Sequence, residues 1–274
     1  MRARVAFVGA VALAACSDRK SAAPPPSAAI VPNTKAAAAT PVIPKKTAQL
    51  VTAVVDDWTS TKATLQYWSR MPGARGALEW SPVGPSWTAV IGRAGSAWGI
   101  GLHGNGAPNR EGPLKKEGDG KSPAGAFALR AAYGVADDLP PGPGAKLPYE
   151  TTGAGDWECV DDPGSEHYGQ IVERKAVASD WVSSEQLLRD DDLYKWIIDV
   201  AHNPERIKSK GSCIFLHVWG GPETSTSGCT AMPELTLTAL LNVLDPGLEP
   251  VYVLLPREDY KALAPAWGLP PLTP

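Results

Sequence analysis

Gly211-Ser212-Cys213-Ile214-Phe215-Leu216-His217-Val218, followed by Thr226-Ser227-Gly228-Cys229-Thr230-Ala231, joins an apolar run ending near an imidazole to a turn of small residues ending on a thiol. A short apolar run bounded by glycine reads as a buried strand, here Ser212 to Val218, with His217 at its end. The twelve residues from His217 to Cys229 are enough for a loop to fold back. Cys229 comes directly after that loop and before a helix-like stretch, where exposed backbone N–H groups can stabilise a thiolate or an oxyanion. Neutral His217 can take the thiol proton and remain as a cation beside the thiolate, which is what a cysteine nucleophile needs. The amides of Gly228 and Cys229 are the candidate oxyanion donors, with Ser227 and Thr230 as supporting residues. Such a pair requires no cofactor.

Working outward, short β-type segments recur between Gly and Pro punctuation: Gln49 to Val55, Ala77 to Val83, Trp87 to Ile91, Gly125 to Ala131, Gln170 to Val172, Lys195 to Val200 and Pro250 to Leu255. Two helices are expected, Trp58 to Trp68 with Asp57 as N-cap, and Leu235 to Leu244 ended by Pro246-Gly247. The fold class is therefore mainly β with a few helices, α+β.

The pattern Cys213 to His217 plus Ser227-Gly228-Cys229 is similar to the L,D-transpeptidase catalytic-domain family. The resemblance reaches upstream to Lys116-Glu117-Gly118-Asp119-Gly120-Lys121-Ser122-Pro123-Ala124-Gly125-Ala126-Phe127, like that family's glycine-rich turn leading into a strand, and covers roughly residues 49–257. It implies a β-sandwich or barrel with a catalytic cleft. It also implies peptidoglycan stem peptides as the partner: the cysteine attacks a tetrapeptide stem, releases D-alanine, and passes the acyl group to an amine. Cys229 and His217 would take those catalytic roles. The commonest family pattern has a His before the Gly-Cys pair and an Arg two residues after the Cys; Ser227 and Ala231 stand there. A carboxypeptidase or amidase that hydrolyses the same thioester is the alternative within enzymes. A wall-binding lipoprotein that kept the fold without the activity is the alternative outside them.

Arg2 and Arg4 followed by an apolar run from Val5 to Ala15 have the layout of a secretory signal, residues 1–15, too short to span a bilayer. Leu13-Ala14-Ala15-Cys16 resembles a lipobox, with Cys16 as the lipidated N-terminus and Ser17 favouring the outer membrane. Residues 16–47, rich in Ala, Pro and Ser, read as a tether with too little apolar surface to fold. The catalytic domain is expected at 48–258, with a tail at 259–274. The membrane is thus met through a lipid anchor only, at the periplasmic face of the envelope. With Cys16 set aside, Cys159, Cys213 and Cys229 are an odd number in an oxidising compartment, so one thiol stays free. Cys159 and Cys213 either pair or remain separate buried thiols, and their separation does not decide between the two.

Charge, ligand spacing and motif context argue against three function classes. Residues 1–47 hold seven of the 26 Lys and Arg and one of the 29 acids, so the remainder carries a net charge of −9 and would be repelled by a nucleic-acid backbone. His103, His167, His202 and His217 show no close ligand pair and no Cys-x-x-Cys occurs, so no metal site is expected. The segment Glu117 to Gly125 lacks a P-loop's Gly-Lys-Thr ending and strand-to-helix setting, and reads as a rim turn held by Asp119.

Overall fold

The computed structural model describes residues 41–73, 77–140 and 144–272. The expected signal peptide, the lipidation candidate Cys16 and the expected tether as far as residue 40 lie outside the described residues.

Eight strands follow one another along the chain as β1 (Gln49–Val55), β2 (Lys62–Pro72), β3 (Trp87–Val90), β4 (Ser122–Gly134), β5 (Ile197–Val200), β6 (Phe215–Val218), β7 (Thr230–Met232) and β8 (Val251–Pro256). In space their order is β1-β8-β4-β5-β6-β7-β3-β2, and β2 pairs again with β1, so the sheet closes on itself as a barrel. The β1–β8 and β6–β7 pairs are parallel, the others antiparallel.

Alternation along the strands sets both faces of the wall. From β1, Val51, Ala53 and Val55 join Leu65, Phe127, Leu216 and Tyr252 in one core, while Leu50 and Val54 join Val251, Val253 and Leu255 in another. Since successive side chains point to opposite faces, a strand buried on both reads as a mostly apolar run without alternation, as Leu50–Val55 does with Thr52 as its one polar residue. Helix α1 (Glu234–Val243) adds Leu237, Leu240 and Leu241 to the first core. Helix α2 (Arg257–Trp267) adds Tyr260, Leu263, Ala264 and Trp267 to the second, at helical spacing. Burying a side chain such as Leu263 contributes roughly 1.5–3 kcal/mol.

Three expectations are corrected. No helix spans Trp58 to Trp68. The Asp57 carboxylate accepts the N–H groups of Thr59 and Ser60, both at 2.8 Å, in a tight turn, and the chain enters β2 directly. From Lys62 it alternates, with Ala63, Leu65 and Tyr67 buried, so the period of two overrides the helical reading. The tether ends before residue 47, because Ile43 is fully buried in the second core and its N–H donates to the Trp267 carbonyl at 3.0 Å. The expected tail is largely α2, whose apolar stripe lies over β1 and β8.

Between β4 and β5 the chain builds a separate three-stranded antiparallel sheet from Trp157–Val160, Ile171–Glu173 and Ser184–Gln186. A disulfide joins its Cys159 to Cys213, just before β6, resolving the pairing left open above and leaving Cys229 as the free thiol.

Candidate active site

The parallel β6–β7 pair positions the thiol and the imidazole. Its register sets Leu216 against Thr230 and His217 against Ala231. Leu216, Val218 and Met232 therefore point into the barrel core, and Phe215, His217, Cys229 and Ala231 share the opposite face. Cys229 lies level with Phe215, whose N–H donates to its Sγ at 3.3 Å. Thr230, read above as a supporting residue, faces the barrel: its Oγ1 bonds the Tyr252 hydroxyl at 2.7 Å.

The turn before Cys229 is pinned from both sides. The Cys229 carbonyl accepts from Thr226 Oγ1 at 2.6 Å and from Ser122 Oγ, at the start of β4, at 2.8 Å. Ser122 Oγ in turn accepts the Gly92 N–H at 2.9 Å. A Cβ at position 228 would lie 3.1 Å from the Lys121 carbonyl oxygen, so the turn passes closest to the chain at a glycine. The Gly228 N–H, named above as an oxyanion donor, is turned inward onto Thr226 Oγ1 at 3.1 Å. The Cys229 amide donates to no described residue. Nor does a helix start at Cys229, since β7 intervenes and α1 begins at Glu234.

His217 is buried, and its Nδ1 sits 2.7 Å from the Val218 carbonyl. A carbonyl only accepts, so Nδ1 carries the hydrogen and Nε2 keeps the lone pair. Burial lowers the imidazole pKa to about 4, despite the opposing pull of that carbonyl. Cys229 is 6 % exposed, and its Sγ donates toward the Cys213 carbonyl at 3.5 Å. Burial pushes the thiol well above its ordinary pKa and the Glu185 carboxylate adds to this, against the Phe215 N–H. The sequence pattern suggested an activated thiolate. As the site stands, the pair is thiol and neutral imidazole.

The cause is a cover contributed by the small sheet and the chain after it. Leu187, Tyr194, Phe215 and the disulfide's Cys159 pack with Cys229 in one apolar cluster. Tyr194 sets its ring edge-on to His217, with centroids 5.1 Å apart, and donates its hydroxyl to Glu185, which pairs with Cys159 across the small sheet. Below the cover, a pocket of about 410 Å³ touches Cys229 and His217. Charged groups of both signs line it, the cations being Arg93, Lys115 and Arg189. Glu117 accepts from Tyr168 and Ser212 hydroxyls at 2.6 and 2.7 Å, clamping the approach to β6. Asp119 holds the rim turn, as expected, by accepting from Lys115 Nζ and the Lys121 N–H at 2.5 and 2.9 Å. Among the described residues no group of three or more His, Cys, Asp or Glu is arranged to hold a metal ion.

Compared with known families, the chain matches the L,D-transpeptidase catalytic domain over residues 112–253, more than half of its length. It belongs to that family. No curated protein matches the chain significantly. The matched L,D-transpeptidase segment begins after β3 and holds both Cys229 and His217, while β1, β2, β3 and Arg93 lie upstream of it. Of the two departures from the family pattern, Ser227 is exposed and accepts from Arg93 Nη1 at 3.1 Å, and Ala231 is buried opposite Val90 of β3. Sequence reasoning missed Ser122, Thr226, Glu185 and Tyr194. Ser122 had a signal, its place in the Gly118 to Gly125 motif. Glu185 and Tyr194 had none, because only the folding of the small sheet brings them to the cysteine.

Proposed function

We propose that the protein is an L,D-transpeptidase of the cell envelope, in which Cys229 forms a thioester with a peptidoglycan stem peptide and His217 moves the protons. The observation that carries this reading is the shared face of β6 and β7, with Cys229 and His217 on one pocket and the imidazole oriented by the Val218 carbonyl. In the first step the Cys229 proton passes to His217 Nε2 and the sulfur attacks the stem carbonyl. The Cys229 amide is the available oxyanion donor. Collapse of the tetrahedral adduct breaks the amide bond, and the imidazolium returns its proton to the departing D-alanine amine. An incoming amine then loses its proton to His217 as it attacks the thioester, restoring the thiol at the end.

Binding must supply the charge separation, because burial of Cys229 and His217 favours the neutral pair. A substrate that displaces part of the cover and brings its own dipoles would stabilise thiolate and imidazolium together. We place the enzyme at the periplasmic face, anchored through a lipid on Cys16.

The test is incubation with tetrapeptide muropeptides, followed by mass spectrometry of products and protein. Cross-linked dimers with free D-alanine and a Cys229-linked acyl adduct are expected. Trimmed stems without dimers would instead assign the hydrolase. A wild type indistinguishable from Cys229→Ala would refute the enzymatic reading and leave a wall-binding protein.

A further inference from the structure

The three cations on the pocket wall differ in their partners. Lys115 Nζ is 2.5 Å from Asp119, and Arg189 bonds Asp191. Arg93 has no carboxylate partner among the described residues, and its side chain bond is to Ser227 Oγ at 3.1 Å. In a domain of strongly negative net charge, an unpaired guanidinium beside the reactive turn is an open place for an anion.

The position is built by the backbone. Beyond β3 the chain runs alongside the turn before Cys229: Gly92 bridges Thr226, the Arg93 N–H donates to the Thr226 carbonyl at 2.8 Å, and the Thr226 N–H donates to Ile91 at 2.9 Å. The arginine side chain then passes over Gly120, where an added Cβ would lie 3.2 Å from its Cγ, Nε and Cζ atoms. Gly120 has φ +69, a conformation that glycine adopts without strain, so the absence of a side chain there leaves the lane the guanidinium occupies. Val90, three residues before Arg93, is paired with Ala231. The cation thus enters from the strand next to β7, two residues upstream of Cys229 in the turn it touches.

We infer that Arg93, with the Ser227 hydroxyl, binds a carboxylate of the acyl donor and orients the stem peptide over Cys229. This rests on the thioester reading above. A guanidinium offers a planar pair of N–H donors that matches a carboxylate, and the serine hydroxyl, now accepting from Arg93, is free to turn and donate. The carboxylate has two sources on a stem peptide, the terminal one on the leaving residue and those on side chains.

The experiment measures kcat and KM of the full-length protein, and of Arg93→Ala and Arg93→Lys, with three donors: the native tetrapeptide, its C-terminal amide, and its side-chain amide. Arg93→Ala is expected to raise KM for the native donor ~10- to 100-fold, the range for loss of a charge-assisted pair, with little change in kcat. Arg93→Lys should recover part of the loss. One amidated donor should show the same raised KM with wild type and with Arg93→Ala, and which one it is names the carboxylate. Equal KM for wild type and Arg93→Ala on the native donor, or an equal loss on all three donors, overturns the inference while leaving the thioester intact. Absence of an acyl adduct on the wild type with every donor overturns both.

Discussion

Removing the Cys159–Cys213 bond tests how the cover is held to the barrel. The bond closes 54 residues of chain, which include two strands of the small sheet, Ile171–Glu173 and Ser184–Gln186, and the end of the third. In the chain-entropy account a loop of that length, reopened in the denatured state, costs about 4 kcal/mol of stability. For a domain of this size that corresponds to a fall in Tm of roughly 8–16 °C. The clean variant is Cys159→Ala with Cys213→Ala, which leaves Cys229 as the single thiol of the folded domain. Cys213 sits at φ 54, in the left-handed region, so alanine there retains a local cost that glycine removes. Cys159→Ala with Cys213→Gly should therefore be more stable than the double alanine by about 1 kcal/mol. The assay is thermal unfolding followed by circular dichroism, with iodoacetamide labelling of Cys229 alongside. The double alanine should melt lower and label faster, because the strand holding Glu185 is no longer tied beside the thiol. A Tm within 2 °C of wild type with unchanged labelling would refute the view that the disulfide clamps the cover.

Two further outcomes follow from the geometry. Ser122→Ala removes one of two donors to the Cys229 carbonyl and leaves the Gly92 N–H unmet, so a loss of about 1–3 kcal/mol is expected in denaturant unfolding, together with a lower kcat on muropeptides; unchanged stability would show that the turn is pinned by Thr226 alone. Acidification should destabilise the fold. His103, His202 and His217 are held at a pKa of about 4 by burial against an ordinary 6.5, so the unfolded chain takes up their protons first, and the stability they leave intact above pH 6.5 is lost as pH falls toward 4. For the two most buried, His202 and His217, this is roughly 3 kcal/mol each. Asp199, raised to about 6 by burial, acts oppositely in the same window and offsets about one of them. Tm measured from pH 7 to 4 should fall, and a flat or rising profile would contradict the assigned histidine environments.

The parts of the fold legible in the sequence were those in which local pattern and final environment agree. Gln49–Val55 matches β1, and α1 lies within a residue of the helix read from Leu235 to Leu244. The Trp58 to Trp68 stretch carries both periods, and only pairing with β1 and β3 settles it as a strand. The strand read from Ser212 starts at Phe215 because Cys213, in the left-handed conformation, breaks the run. Of the candidate site, the nearness of Cys229 and His217 was readable because one strand, and the turn that enters its neighbour, carry them in a motif. Gly228's inward turn was not, since it depends on Thr226 folding back within the same loop. Arg93 was not either, because it comes from 134 residues before Ser227, by way of a barrel neighbour with no motif of its own.

The state of the thiol shows why a motif and a reactive site are different things. The turn, the imidazole and the strand pair all come from the barrel, and on that platform alone an exposed Cys229 with a neutral base nearby would be poised to ionise. The small sheet changes this without touching the motif. It brings Leu187 and Tyr194 over the sulfur, and Glu185 beside it, so that desolvation and a like charge both favour the proton staying on sulfur. These effects are fixed neither by Cys229 nor by His217. They come from the cover, and on the proposed function a stem peptide entering the pocket would share that space with Tyr194 and face Glu185. Under the proposed thioester route, the same residues that keep the resting thiol protonated would lie where a donor has to bind, and activation of Cys229 would then be linked to occupation of the pocket.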